Sequence, residues 1–259
     1  MCFEISGGVL PPAINLYDFA AVATLFFAMR ERLPLHIDGP VSAVLLRNLE
    51  ELQEVWAMWR PSSYAPVSVT ATEERDDLAE RPPKTGVFAF SGGVDGTAAL
   101  LRHHAGKMNR RTIQPIAAVM IHGFDIPLSK GPAFDTARAA AEAILHELNL
   151  PLCVIRTNWL DVLCRDWKME FGAGLAACLH QFAGLSPAAV LGSDEDYAHL
   201  SLPWGSNPIT NHFLSGGGFA IQTDCGGLTR TERVALICEY PRIAARLRVC
   251  WEGPVTGRN

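Results

Sequence analysis

The sequence predicts an α/β fold in which a parallel sheet, covered by helices on both faces, follows a small α/β N-terminal module. Three observations carry this expectation. Past residue 84, short apolar runs of strand length alternate with longer segments of helical period. Before them, Thr72-Glu73-Glu74-Arg75-Asp76-Asp77 and then Arg81-Pro82-Pro83-Lys84 form a charged, then proline-rich stretch of the kind found in linkers. Finally, Val87-Phe88-Ala89-Phe90-Ser91-Gly92-Gly93-Val94-Asp95-Gly96-Thr97 sets an apolar strand directly before a glycine turn and an apolar helix. The module is placed at residues 1–80 and the main domain at 81–259.

In the module, Asp18 to Met29 reads as a helix, Leu35-His36-Ile37 as a short strand, and Val67-Ser68-Val69-Thr70-Ala71 as a strand by alternation. Between the strands, Val41, Leu45, Leu49, Leu52, Val55 and Trp59 recur at spacings of three and four, one apolar helical stripe. Trp56 and Trp59 on it are read as packing, with a ligand platform as the alternative. The main domain then runs strand 87–90, helix 97–105, strand 116–121, helix 133–148, strand 152–155, helices within 159–183, and strand 188–191. Ala137, Ala141, Ile144, Leu145 and Leu148 give helix 133–148 its buried face, and Asn149-Leu150-Pro151 ends it. Ligands of such sheets bind beyond the carboxyl ends of the strands. The loop after Phe90, His122-Gly123-Phe124-Asp125 and Gly192-Ser193-Asp194-Glu195-Asp196-Tyr197 are therefore expected to gather there.

Composition narrows the class. Of 259 residues, 49% are hydrophobic and 19% charged, enough for a well-buried core. The net charge of −5 argues against nonspecific nucleic-acid binding, although 102–111 is locally basic and leaves tRNA open as a partner. The longest apolar stretch, Phe19 to Met29, spans 11 residues between Asp18 and Arg30, too short to cross a bilayer. Met1-Cys2-Phe3-Glu4 lacks the features of a signal peptide, so no membrane association and a cytoplasmic location are expected. Seven cysteines with no CxxC read as reduced core residues. A homodimer is compatible with these features.

The glycine turn carries the chemistry. Gly92 and Gly93 let the backbone aim N–H groups at an anion, and the following helix start favours the same anion. Ser91 and Thr97 offer hydroxyl donors, and Asp95 makes most sense as a ligand of Mg²⁺ bridging to phosphate. The competing reading is an ordinary glycine-rich strand-to-helix turn.

Ser91-Gly92-Gly93-Val94-Asp95-Gly96 resembles the Ser-Gly-Gly-x-Asp-Ser pyrophosphate loop of the N-type ATP pyrophosphatases, the PP-loop superfamily, with Gly96 where that family has serine. The superfamily includes the GMP synthetase amination domain, asparagine synthetase, tRNA thiolases and 7-cyano-7-deazaguanine synthase. The resemblance implies a Rossmann-like sheet of the HUP type and ATP as ligand. Residues 91–97 would hold its phosphates, and the backbone at Met120 and Ile121 would read adenine. His122 and Asp125, in the loop after that strand, are read as hydrogen-bonding a nucleotide or taking part in proton transfer. For His122 the alternative is a cap on the turn opened by Gly123. The run Gly192 to Ser206 looks like the deazaguanine synthase branch, where a glycine after the strand leads through Asp-Tyr into a proline-containing substrate loop. Ser193, Asp196, Tyr197, Trp204, Ser206 and His212 are therefore the substrate candidates, Trp204 as a flat surface for a planar acceptor. Asp194, Glu195 and Asp196 either join Asp95 on Mg²⁺ or form a solvated turn, and Ser215-Gly216-Gly217-Gly218 is either a phosphate lid or a plain turn.

Thr229 and Glu232 make a capping box, so a helix starts there and puts Arg230 in its first turn, against the helix dipole. Thr229-Arg230 resembles the Ser/Thr-Lys pair that meets the triphosphate in the family; a surface arginine is the alternative. Arg248-Val249-Cys250-Trp251-Glu252-Gly253 is similar to a segment whose cysteine is one of four zinc ligands in the synthase branch, but the companion CxxCxxC is absent, so zinc is not expected. Together these features imply an ATP-dependent ligase or amidotransferase-like enzyme. It would adenylate an oxygen of a small-molecule acceptor, release pyrophosphate, and let a nitrogen or sulfur nucleophile displace AMP, with Asp95 and Arg230 as catalytic residues. The alternatives are a tRNA or metabolite thiolase using Cys225 and a non-catalytic nucleotide-binding subunit.

Overall fold

The computed structural model describes residues 1–75 and 84–248. In chain order the elements are β1 (Phe3–Gly7), α1 (Asp18–Glu31), β2 (Leu35–Ser42), α2 (Ala43–Trp59), β3 (Val69–Arg75), β4 (Thr85–Ala89), α3 (Val94–His104), β5 (Gln114–His122), α4 (Gly131–His146), β6 (Leu152–Thr157), α5 (Trp159–Val162), α6 (Trp167–His180), β7 (Ala188–Gly192), β8 (Ala220–Asp224), α7 (Arg230–Cys238) and α8 (Pro241–Ala244). Short 3₁₀ turns occupy Asn109–Arg111 and Asn211–Leu214.

Six strands form one sheet in the order β1-β6-β5-β4-β7-β8, parallel throughout except for β1. The chain builds outward from β4 to β5 and β6, then returns to the other side of β4 for β7 and β8. The strand order therefore reverses between β4 and β7, the place where open α/β sheets leave a crevice.

Alternation along the strands creates two cores. Val87, Ala117, Val119, Cys153, Ile155, Ala189 and Leu191 face α1, α2 and α6. Their neighbours Phe88, Ala118, Met120, Leu152, Val154, Ala188 and Val190 face α3, α4, α7 and α8. Side chains two apart share a face of a sheet, so each strand feeds both layers and reads as a continuous apolar run. Among the described residues no helix is long and apolar enough to cross a membrane.

The first 75 residues are joined to this architecture at several points. β1 pairs antiparallel with β6, Phe3 opposite Thr157 and Gly7 opposite Cys153. α1 packs on α6, and the Trp159 indole N–H donates to the Ala23 carbonyl at 2.8 Å. β2 and β3 form a separate parallel pair.

Several local expectations are corrected. Val41 lies in β2 rather than on the helical stripe, because Ser42 caps α2 by accepting from the Leu45 N–H. The charged residues 72–75 belong to β3, and residues 76–83 of the expected linker lie outside the described residues. The helix after the glycine turn starts at Val94 instead of Thr97. The glycine run 215–218 is a tight turn packed on the N-terminal elements: the Gly217 N–H donates to Ser42 Oγ at 2.8 Å, and Asn48 Nδ2 donates to the Ser215 carbonyl at 2.9 Å.

Candidate functional site

The parallel strands end at a cavity of about 480 Å³ lined from the ends of β4, β5 and β7. β4 carries buried Val87 and Phe88 into the turn Ser91–Gly93, after which α3 begins. Gly92 has φ +77°, a left-handed conformation that glycine adopts without a Cβ penalty. Gly93 is the N-cap of α3 and supplies no side-chain acceptor, so the free N–H groups of the first helical turn remain directed at the turn. The end of β7 rests on that same helical turn: a Cβ on Gly192 would stand 2.7 Å from the Gly96 nitrogen. A Cβ on Gly96 would stand 3.0 Å from the Ala89 carbonyl oxygen, so glycine fits this close approach of helix to strand better than serine does.

Charge is concentrated beside the turn. The Asp95 carboxylate, in the first turn of α3 where the helix dipole favours it, accepts from Arg233 Nη1 at 2.7 Å and from Arg230 Nη1 at 3.0 Å. Arg233 is fully buried and also donates to the carbonyls of Ser193, of Asp194 at 3.1 Å, of Cys225 at 3.0 Å and of Leu228 at 3.0 Å. It locks the loops after β7 and β8 to the first turn of α3. Arg230, by contrast, keeps 53% of its side chain exposed. The capping box between Thr229 and Glu232 is present and sets where α7 begins, which puts both arginines on one face.

Arg248, after α8, reaches the cavity from another direction and places Nη1 3.5 Å from Asp125 Oδ2. Burial pushes the Asp125 carboxyl upward, against the opposing pull of Arg248. Asp194 faces the cavity from an exposed position in the loop after β7; partial desolvation by the surrounding wall pushes its carboxyl up to about 6, with the hydrogen bond from Trp204 Nε1 at 3.0 Å opposing and the Asp95 charge adding to the rise. Aromatic rings form the remaining wall: Phe124 on Trp167 at 5.2 Å, Trp167 on Phe171 at 5.4 Å and Phe171 near Trp204 at 5.9 Å between centroids.

Of the residues singled out by sequence, Ser91, Asp95, Gly96, Met120, Ile121, Asp125, Asp194, Trp204 and Arg230 line the cavity, and Gly92, Gly93 and Val94 shape its turn. Thr97 does not line it; the side chain is fully buried, with its hydroxyl lacking a partner among the described residues. His122 is 7% exposed, stacks on Phe134 at 4.1 Å and places Nε2 3.2 Å from the Pro127 carbonyl, an arrangement that closes the loop after β5; burial pushes its pKa down. Ser193 is buried and donates to the Glu195 carbonyl at 2.6 Å. Asp196 stays in its own turn, accepting from the Ala198 N–H at 3.0 Å and meeting His199 at 2.8 Å. Tyr197 is 62% exposed, and its ring lies over Gly226. Ser206 accepts from Asn211 Nδ2 at 3.0 Å, and exposed His212 packs on Phe213 at 4.0 Å.

Cys225 is 1% exposed, and burial pushes its thiol up to about 12. Cys250 lies outside the described residues. Among the described residues no group of three or more His, Cys, Asp or Glu is placed to hold a metal ion. Sequence reading ranks Arg233 below Arg230, although its spacing of three from Arg230 is a same-face signal and it is Arg233 that holds Asp95 from a buried position, and gives no role in the cavity to Arg248 or to the rings of Trp167 and Phe171, which only tertiary packing brings together. Comparison with protein-family models and with curated proteins returned no match for the chain.

Proposed function

We propose that the chain is an ATP-dependent enzyme of the PP-loop type that adenylates an oxygen of a small-molecule acceptor and releases pyrophosphate. The observation that carries this reading is the uncapped N-terminus of α3, opened by the Ser91–Gly93 turn at the strand-order reversal and ringed by Arg230, Arg233 and Arg248. Backbone N–H groups and cations converging on one turn suit a phosphate chain. The parallel order β6-β5-β4-β7-β8 supports a HUP-type sheet.

In this reading pyrophosphate lies on the turn and the half-exposed Arg230 swings from Asp95 to the developing negative charge. Arg233 positions Asp95 and the carbonyls of Ser193 and Asp194 without leaving its pocket. The aromatic wall at Trp167, Phe171 and Trp204 excludes water and holds the acceptor's apolar part for in-line attack on the α-phosphorus. Mg²⁺ that enters with ATP is commonly held by one or two carboxylates together with phosphate oxygens; Asp95 Oδ2 would join that set only after Arg230 leaves it, since Oδ1 stays paired with Arg233. When bound, it spreads the charge of the departing pyrophosphate. The buried, high-pKa thiol of Cys225 favours ligation over the thiolase alternative, because the thiolate is the sulfur nucleophile.

Calorimetry with Mg-ATP tests the site: Asp95→Asn is expected to weaken binding far more than Glu50→Gln on the exposed side of α2. ³¹P NMR tests the bond broken. AMP and pyrophosphate are the expected products; ADP and phosphate would mean γ-phosphoryl transfer and end the adenylation reading, and binding without turnover across acceptor classes would leave a nucleotide-binding subunit.

A further inference from the structure

Arg248 is laid directly on the glycine turn. Its main-chain N–H donates to the Gly92 carbonyl at 2.8 Å, and its Cβ lies 3.9 Å from where a Cβ on Gly92 would stand. The residue is 9% exposed. Nη1 makes the long contact with Asp125, whereas Nε and Nη2 are buried and meet no acceptor among the described residues. In a guanidinium these two N–H groups lie side by side on one edge, the geometry that takes two oxygens of a single oxyanion. Buried cationic donors without acceptors are costly, and a bound oxyanion removes that cost.

We propose that Arg248 is an oxyanion-binding residue of the cavity, its Nε–Nη2 fork taking two oxygens of a phosphoryl group that lies at the glycine turn. This rests on the nucleotide reading above and adds the residue that fixes the phosphoryl group's orientation. Asp125 steadies the far nitrogen of the same guanidinium, and the α3 N-terminus supplies N–H donors at the same turn. A phosphoryl group is assigned rather than a carboxylate because the arginine is hydrogen-bonded through its own backbone to the turn that the uncapped helix faces.

The test is calorimetric titration of the full chain with inorganic pyrophosphate, Mg-ATP and acetate, repeated on Arg248→Gln, Arg248→Lys and the exposed neighbour Arg246→Gln, with melting temperature as the check on folding. The wild type is expected to bind pyrophosphate and Mg-ATP, Arg248→Gln about tenfold or more weakly, and Arg248→Lys several-fold more weakly because lysine keeps the charge and loses the fork. Arg246→Gln is expected to match the wild type. Tight wild-type binding that neither Arg248 variant alters overturns the role of Arg248 and leaves the nucleotide reading standing. Failure of the wild type to bind either phosphate compound overturns both. Acetate bound through Arg248 in the absence of pyrophosphate binding overturns the phosphoryl assignment. Should Arg248→Gln not fold, the folded Arg248→Lys decides.

Discussion

The carboxylates of Glu170 and Asp95 both meet arginines brought from distant elements, yet one cluster is closed and the other open. Glu170 on α6 is fully buried and accepts from Arg30 Nη1 at 2.7 Å, the Tyr64 hydroxyl at 2.9 Å and the Arg165 N–H at 3.1 Å. Arg30 spends Nη2 on the Leu163 carbonyl at 3.1 Å, while its Nε, 3.5 Å from Glu31, is buried without a hydrogen-bond acceptor among the described residues but faces no cavity. Burial, reinforced by Glu170, holds the Tyr64 phenol far above its usual range, so its proton stays available to donate. This cluster fastens α1 to α6 and presents nothing to a cavity. The Asp95 cluster has one arginine locked, one half exposed and, across the turn, a third whose fork is unmet. Surplus, directed donors beside a cavity are what separate a binding site from a structural staple.

The largest expected effect tests how far the locked arginine belongs to the structure. Arg233→Ala leaves Asp95 with Arg230 alone and strips the donor from four carbonyls, and should cost about 3–5 kcal/mol of stability in urea unfolding. Glu170→Gln should cost about 2 kcal/mol, by weakening charge-assisted hydrogen bonds, while leaving Mg-ATP affinity unchanged; an affinity loss would make the two clusters one coupled unit. Arg230→Ala should change stability by at most about 1 kcal/mol, since the pair is half exposed, yet should slow pyrophosphate release in single-turnover measurements. The smallest effect concerns pH. Because the Asp194 carboxyl titrates near 6 in the fold, above its ordinary value, it is neutral below that pH and anionic above it. Any stability it contributes is present at low pH and is lost as pH rises through about 6. Pyrophosphate affinity should fall over the same range, and Asp194→Asn should flatten the part of the profile that belongs to the protein.

What was legible in the sequence was local. The strand-turn-helix around Ser91–Gly93 and the Thr229–Glu232 capping box are written in adjacent residues, and the apolar runs of β4, β5, β6 and β7 announce strands buried on both faces. Placement across the sheet was not legible. β1 is a five-residue, partly exposed strand whose partner lies about 150 residues away, and β8 follows a glycine-rich turn with too short an alternation to stand out. Tyr197 and His212 look like ligand contacts in a polar run, but the chain turns them to solvent. Arg248 stands out in the sequence only as the start of a segment read for its cysteine; it joins the cavity because its backbone pairs with Gly92.

The most direct test of the central claim is a crystal structure of the chain soaked or co-crystallised with a non-hydrolysable ATP analogue and Mg²⁺. Phosphate oxygens are expected within hydrogen-bond distance of the N–H groups at the start of α3 and of Arg248 Nε and Nη2, with Arg230 turned away from Asp95 toward the phosphates. An analogue bound elsewhere, with the Asp95–Arg230 pair intact and the turn bare, would contradict it.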